Sequence, residues 1–480
     1  MKKISLLLLV CIFMPLHVFS EPTNFTYNYD FWKEQVASPD AYRVSAYILG
    51  TSLGVGNFRE PQGLFIKENR IYICDSGNNR ILLLEVNEKG EHVLVNSVSS
   101  VIIDGVESPF HYPMDIFECR EGFLYIADTN NMRVLKLDHD WNYVSSINRP
   151  NDESIDDFVE FQPLKLVVDF ANRIFVQVRN VNKGLMEFDN RGEFVGYMGA
   201  NKVKFKLVDY AWKLVSTQAQ RERLELFIPT EYNNVSLDND GFIYVTNSTG
   251  DIVDPVRRLN AMGQDILIRN GYEKPIGDIA YGSAGGVSGR SRFIDVVAFD
   301  NDSFACFDRT RGRIFMYDFQ GNLLYAFGGV GNREGAFLMP VALDRMGYSL
   351  YALDSRTATL TRFDLTSYGV KINDALSEYK AGRYESSADV WEDVLKMNGN
   401  YDLAYIGIGR AALRQGDYLT AMKYYKLKHF RTGYGKAFQL YRKQWVEENL
   451  WKILLILGIL VAVPFAVRYS IKVVKEIIEA

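Results

Sequence analysis

Three polar residues stand where they could do chemistry. Two residues beyond each copy of a recurring proline the sequence places Gly63, Asp115, Lys165 and Ala342, and Asn234 falls near the same place in a copy with a looser register. A carboxylate, an ammonium and an amide on neighbouring elements can hydrogen-bond a polar ligand, and their oxygens suit a hard cation. Opposite charges so placed more often neutralise each other, so an Asp115–Lys165 ion pair is the first expectation. No nucleophile stands beside a base. Cys74, Cys119 and Cys306 are odd in number and share no C-x-x-C spacing, which predicts buried strand thiols rather than disulfides or a zinc framework. A triple-histidine centre would need His92, His111 and His139 to converge, and their strand positions give that little support; His429 lies far downstream.

The elements that carry these residues repeat. Phe58-Arg59-Glu60-Pro61-Gln62-Gly63 leads to Ile71-Tyr72-Ile73-Cys74-Asp75, and Tyr112-Pro113-Met114-Asp115 leads to Leu124-Tyr125-Ile126-Ala127-Asp128. Further copies open at Pro163, Pro229, Phe293 and Pro340, and the first three prolines are 52 and 50 residues apart. Short alternating apolar runs between Gly, Asn and Asp turns are strand chemistry, and the spacing suits a four-stranded sheet with loops. The last copy stops after its third strand at Leu360–Phe363, and Ala46–Gly50 upstream supplies the missing one. This predicts an all-β ring of six blades over residues 40–366, closed so that no edge is left free.

Asp75-x-x-Asn78-x-Arg80 and Asp128-x-x-Asn131-x-Arg133 resemble the signature of the NHL-repeat family of β-propellers. The resemblance implies an NHL-like propeller; by residue chemistry each aspartate reads as a turn fastener accepting backbone N–H groups and each arginine as a tie between neighbouring blades. Copies three and four depart from it, with Gln177 and Thr246 near the aspartate position. Asp115, Lys165 and Asn234, on innermost strands, would face the central channel. Two longer intervals interrupt the copies. Lys202–Glu225 reads as an amphipathic helix, either a partner surface or a rim cap, and Tyr281–Gly289 reads as a flexible inter-blade loop.

After Asp364 the period becomes helical. Gly382 and Tyr384 recur as Gly416 and Tyr418, 34 residues on, with Ala388 and Ala421 in the same phrases. That is the tetratricopeptide period, and the resemblance covers a module at 371–430. A juxtamembrane helix at 431–448, a membrane span at 449–469 and a tail at 470–480 follow, because Ile453–Val467 is uninterruptedly apolar with Trp445 and Trp451 before it and Arg468, Lys472 and Lys475 after it. At the other end, Lys2 and Lys3 precede an apolar run, the pattern of a signal peptide over 1–20, with a segment at 21–39 before the propeller. Together these predict a single-pass cell-membrane protein with its N-terminal ectodomain outside and a short cytoplasmic C-terminus.

A length of 480 residues predicts two to four folded units, and a net charge of −5 argues against a nucleic-acid partner. Asn24, Asn234 and Asn247 each open a glycosylation tripeptide. The expected function is a binding scaffold for protein, or for carbohydrate, accessory to a membrane transport system. No cofactor, metal ligand or catalytic residue is assigned. The alternatives are a metal-dependent hydrolase or lyase in the channel, as in some six-bladed propellers, and a purely architectural spacer.

Overall fold

The computed structural model describes residues 26–156, 158–199, 231–247, 254–271, 273–284 and 287–479. The leader and the 202–225 insert lie outside them. The chain divides into two compact units that meet in sequence between Val370 and Lys371.

The first unit is a six-bladed β-propeller. Its inner strands, Gly63–Lys67, Pro113–Glu118, Pro163–Val168, Asn234–Leu237, Phe293–Ala298 and Pro340–Met346, pack each on the next, and the sixth returns to the first. Each opens an antiparallel sheet, and in blades 1 to 4 the strands run outward in chain order, as in blade 2 through Leu124–Asp128, Arg133–Leu137 and Tyr143–Ile147. Middle strands are buried on both faces, as Phe304–Asp308 is throughout, which explains their continuous apolar runs. The cores lie between blades: Tyr72, Cys74 and Ile81 of blade 1 pack on Ile126, Leu135 and Leu137 of blade 2. Cys74, Cys119 and Cys306 are buried free thiols.

The ring closes as expected. Tyr42–Leu49 pairs antiparallel with Thr359–Leu365, with Tyr47 opposite Thr361, and supplies the outer strand of blade 6. It begins at Tyr42, ahead of the expected Ala46, because its partner strand runs on to Leu365, which lies opposite Tyr42, and the Tyr42 ring stacks on Phe327 at 5.0 Å. The segment before it also has structure that local patterning did not reveal. Tyr27–Tyr29 and Gln35–Ala37 form a hairpin added to blade 5, with Tyr27 opposite Ala326. Buried Asp278 fixes it: the Tyr27 hydroxyl donates at 2.7 Å and Gln35 Nε2 at 3.2 Å, Tyr29 also donates, and Arg313 closes an ion pair at 2.5 Å. Nor is Tyr281–Gly289 a plain loop. Ile279–Ala284 and Val287–Arg290 pair as antiparallel strands.

The second unit is helical. α1 (Ser367–Lys380) crosses into it and is followed by α2 (Tyr384–Met397), α3 (Asp402–Gln415), α4 (Tyr418–Leu427) and α5 (Arg431–Glu479). From α2 onward each helix packs on the next. Gly382 and Gly416 take φ of 78° and 86° between helices, where a side chain would be strained. Ala421 is buried, Tyr384 sits 5.3 Å from the Tyr379 ring, and Ala388 and Tyr418 are half-buried. In α3 a Cβ on Gly407 would lie 2.3 Å from the Trp391 indole nitrogen. α5 runs 49 residues without a break at Pro464. Within Arg431–Lys475 an 18-residue stretch is apolar enough to cross a membrane and is nowhere buried, which fits single-pass membrane anchoring.

Candidate functional site in the propeller channel

Strand register decides which residues form the innermost ring. Gly63 pairs with Cys74, Asp115 with Ala127, Lys165 with Gln177, Asn234 with Thr246, Asp295 with Phe307 and Ala342 with Leu353, so these six occupy one level. Asn234 is therefore equivalent to Asp115. Asp295 is a member that the proline pattern did not reveal, because its blade opens with Phe293. The available signal was Asp308, which pairs with Phe293 as Asp128 pairs with Pro113. The same register moves the signature position of blades 3 and 4 one residue on from Gln177 and Thr246, to Val178 and Asn247.

Neighbouring blades are stitched through this ring. Lys165 Nζ lies 3.3 Å from Asp115 Oδ1, and the Leu166 N–H donates to Asp115 Oδ2 at 2.9 Å. Asn234 Nδ2 donates to Asp295 Oδ1, while the Leu343 N–H reaches Asp295 Oδ2 at 2.7 Å. Asp344, two residues beyond Ala342, accepts the Ile66 N–H at 2.6 Å. Each carboxylate thus accepts from the inner strand of the following blade. Asp115, Lys165, Asn234 and Asp295 are all buried.

Burial raises the pKa of Asp115, and Lys165 opposes the rise. Burial lifts Asp295 to about 7 against the pull of Lys165 and of the Leu343 and Val296 N–H groups. Asp344 also reaches about 7, again chiefly through burial. For Lys165 burial works against the charge, yet Asp115 and Asp295 outweigh it and the ammonium titrates above its usual value.

The ring borders a cavity of about 750 Å³. Phe65 and Phe117, with ring centroids 4.8 Å apart, form its wall on blades 1 and 2, and Ser236 and Asp344 line it on blades 4 and 6. Several charged groups near its rim are paired: Glu118 meets Lys67 at 3.1 Å and Arg70 at 2.8 Å, and Arg345 meets Asp300 at 2.7 Å. Arg120 lies 5.8 Å above the exposed Phe170 ring.

The signature residues stand apart from the cavity lining. Asp75 accepts from the Arg59 N–H at 2.7 Å, from Asn78 Nδ2 at 2.8 Å and from Arg80 Nε at 2.7 Å. Asp128 repeats this with the His111 N–H, Asn131 and Arg133, each at 2.8 Å. The arginines reach the connections that enter their own blades, at Val55 O and Ser108 Oγ, rather than the sheet of a neighbouring blade. Asn234 and Asn247 are each 3% exposed, too buried to serve as glycan acceptors in the folded chain, and Asn24 lies outside the described residues. His92 meets the Tyr351 hydroxyl at 3.1 Å, whereas His139 stays exposed beside Asp140. Among the described residues no group of three or more His, Cys, Asp or Glu side chains is arranged to hold a metal ion.

No protein-family description matches this sequence, and no curated protein does either. Solved structures do resemble the propeller. Virginiamycin B lyase from Staphylococcus aureus matches at 10% identity over 68% of this chain and 100% of its own, with a TM-score of 0.39. A protein of unknown function from Bacteroides thetaiotaomicron matches at 10% identity over 70% of this chain and 80% of its own, with a TM-score of 0.44. The extracellular domain of a protein from the same organism, classed as a hybrid two-component system, matches at 12% identity over 68% of this chain and 43% of its own, with a TM-score of 0.37. At these identities the likeness concerns fold and not channel chemistry.

Proposed function

We propose that this chain is a membrane-anchored extracytoplasmic scaffold whose NHL-like propeller and tetratricopeptide-like module dock a protein or carbohydrate partner. A place beside a membrane transport system is part of this reading. The observation that carries it is the order of parts in one chain: a propeller, then a small helical unit whose last helix, 49 residues long, contains an exposed apolar span. The glycines at 382 and 416, each at a helix junction, support a tetratricopeptide-like pair. Exposed Leu419 and Leu427 on α4 suit a docking face. The channel does not favour a metal-dependent hydrolase or lyase. A hard cation needs several carboxylate oxygens aimed at one point, and among the described residues no three His, Cys, Asp or Glu side chains are so arranged.

The test is affinity purification of the tagged full-length protein from its own membranes in mild detergent, with quantitative mass spectrometry. A Leu419→Asp, Leu427→Asp double variant is run beside it. A stoichiometric partner that the double variant loses supports docking through the helical unit. A partner profile indistinguishable from control would defeat the scaffold.

A further inference from the structure

We propose that the propeller channel binds a small organic cation, an arylalkyl- or alkylammonium group seated against Phe65 and Phe117 with its charge toward Asp344 and Asp295. Such a site goes beyond the docking function and would operate whether or not a protein partner is present.

The lining brings aromatic rings and carboxylates to one cavity. Blades 1 and 2 contribute the paired aromatic rings of Phe65 and Phe117, and blades 4 to 6 contribute Asn234, Ser236, Asp295 and Asp344. Asp344 accepts from the Ile66 N–H, and Ile66 follows Phe65, so this carboxylate and the aromatic wall meet where blade 6 adjoins blade 1. Aromatic faces beside desolvated carboxylates are what an organic ammonium group prefers: the carboxylates take its charge and N–H donors, and the rings cover its carbon substituents.

Charge pairing points the same way. The cations around the cavity already have partners, Lys165 with Asp115, Lys67 with Glu118 and Arg345 with Asp300. Arg120 lies over Phe170. Among the described residues Asp295 and Asp344 form no ion pair, and their partners are the Leu343, Val296, Ile66 and Arg345 N–H groups and the Asn234 amide. A carboxylate has about four lone-pair sites, so both retain acceptor capacity after these bonds. Asp295 and Arg345 act on Asp344, while Lys165, Asp115 and, reciprocally, Asp344 act on Asp295. An entering cation would favour the ionised form of both carboxylates and displace protons from them.

The experiment is isothermal titration of the full-length protein in detergent with 2-phenylethylammonium, 2-phenylethanol, 3-phenylpropionate, maltose and a blocked lysine, at pH 6, 7 and 8 in two buffers of different ionisation enthalpy. The ammonium compound should bind at least about tenfold more tightly than the alcohol or the acid, because only it gains the two carboxylates. Its affinity should rise with pH, with release of about half a proton per carboxylate at pH 7. Asp344→Asn and Phe65→Leu should each weaken it about fivefold or more. Equal or tighter binding of the alcohol or maltose would overturn the proposal, as would unchanged affinity in a natively melting Asp344→Asn protein. Tighter binding of the blocked lysine would place the cation on a polypeptide and overturn the small-molecule assignment. Phe65→Leu, which leaves every channel hydrogen bond in place, decides the matter if Asp344→Asn does not fold.

Discussion

Replacing Asp344 by asparagine should flatten the pH dependence of stability. Burial is the main reason that Asp344 titrates at about 7; Asp295 pushes the same way, while the Arg345 and Ile66 N–H groups and the Arg345 charge pull against it. An unfolded aspartate titrates near ~3.9, so the folded chain binds this proton more tightly than the unfolded chain does. The sign follows: the stabilising contribution is complete below pH ~4 and is lost as pH rises through 7. At ~1.4 kcal/mol per unit, the part of that window between pH 5 and pH 8 is worth about 2–3 kcal/mol. Asparagine removes the titration but keeps a carbonyl oxygen for the Ile66 N–H, now 2.6 Å from the carboxylate. Urea unfolding of the full-length protein, followed by circular dichroism at pH 5, 6, 7 and 8, reads the difference. Wild type should lose about 2–3 kcal/mol more than Asp344→Asn across this range. Parallel profiles for the two proteins would refute the reasoning, since they would mean that Asp344 titrates alike in folded and unfolded chains.

Two further outcomes follow from buried contacts. Asp128→Ala should cost about 3–5 kcal/mol in urea unfolding, because it strands the Arg133 guanidinium and two N–H donors together; a loss below about 1 kcal/mol would deny the fastener role. Gly407→Ala should destabilise the helical unit by about 1–3 kcal/mol, seen as an earlier change in tryptophan fluorescence, because its methyl group would meet the Trp391 indole; an unshifted midpoint would show that the indole yields without cost.

Much of the channel was legible because proline marks register. Pro113 and Pro163 each open an inner strand, and counting from them finds Asp115 and Lys165, which do pair at 3.3 Å. Asp295 was hidden by the loss of that marker, although its pairing geometry is unchanged. Phe65 and Asp344 were hidden for a different reason. They lie one strand period beyond the marked level, where the six blades carry Phe65, Phe117, Val167, Ser236, Val297 and Asp344 and no common residue type identifies a channel position. The N-terminal hairpin and the Gly407 contact could not be read from local patterning at all. Tyr27 pairs with Ala326, and its hydroxyl finds Asp278, across sequence distances over which alternation carries no information. Gly407 looks like any helix-weakening residue until Trp391 is placed against it.

Stability and binding meet on the same oxygens. Asp344 joins blade 6 to blade 1 through Ile66, and Asp295 joins blade 5 to blade 6 through Leu343, so the groups that would receive a ligand's charge also hold the ring closed. The ring is costly above neutral pH, where burial must be overcome to ionise both carboxylates. A cation in the channel would remove part of that cost, and it would do so only in the folded chain, so occupancy should raise the melting temperature, most at pH 8 and least at pH 5. A neutral ligand would give the same rise at both pH values. The pH dependence of the shift therefore distinguishes charge compensation from simple filling of the cavity, and it does so in unmodified protein.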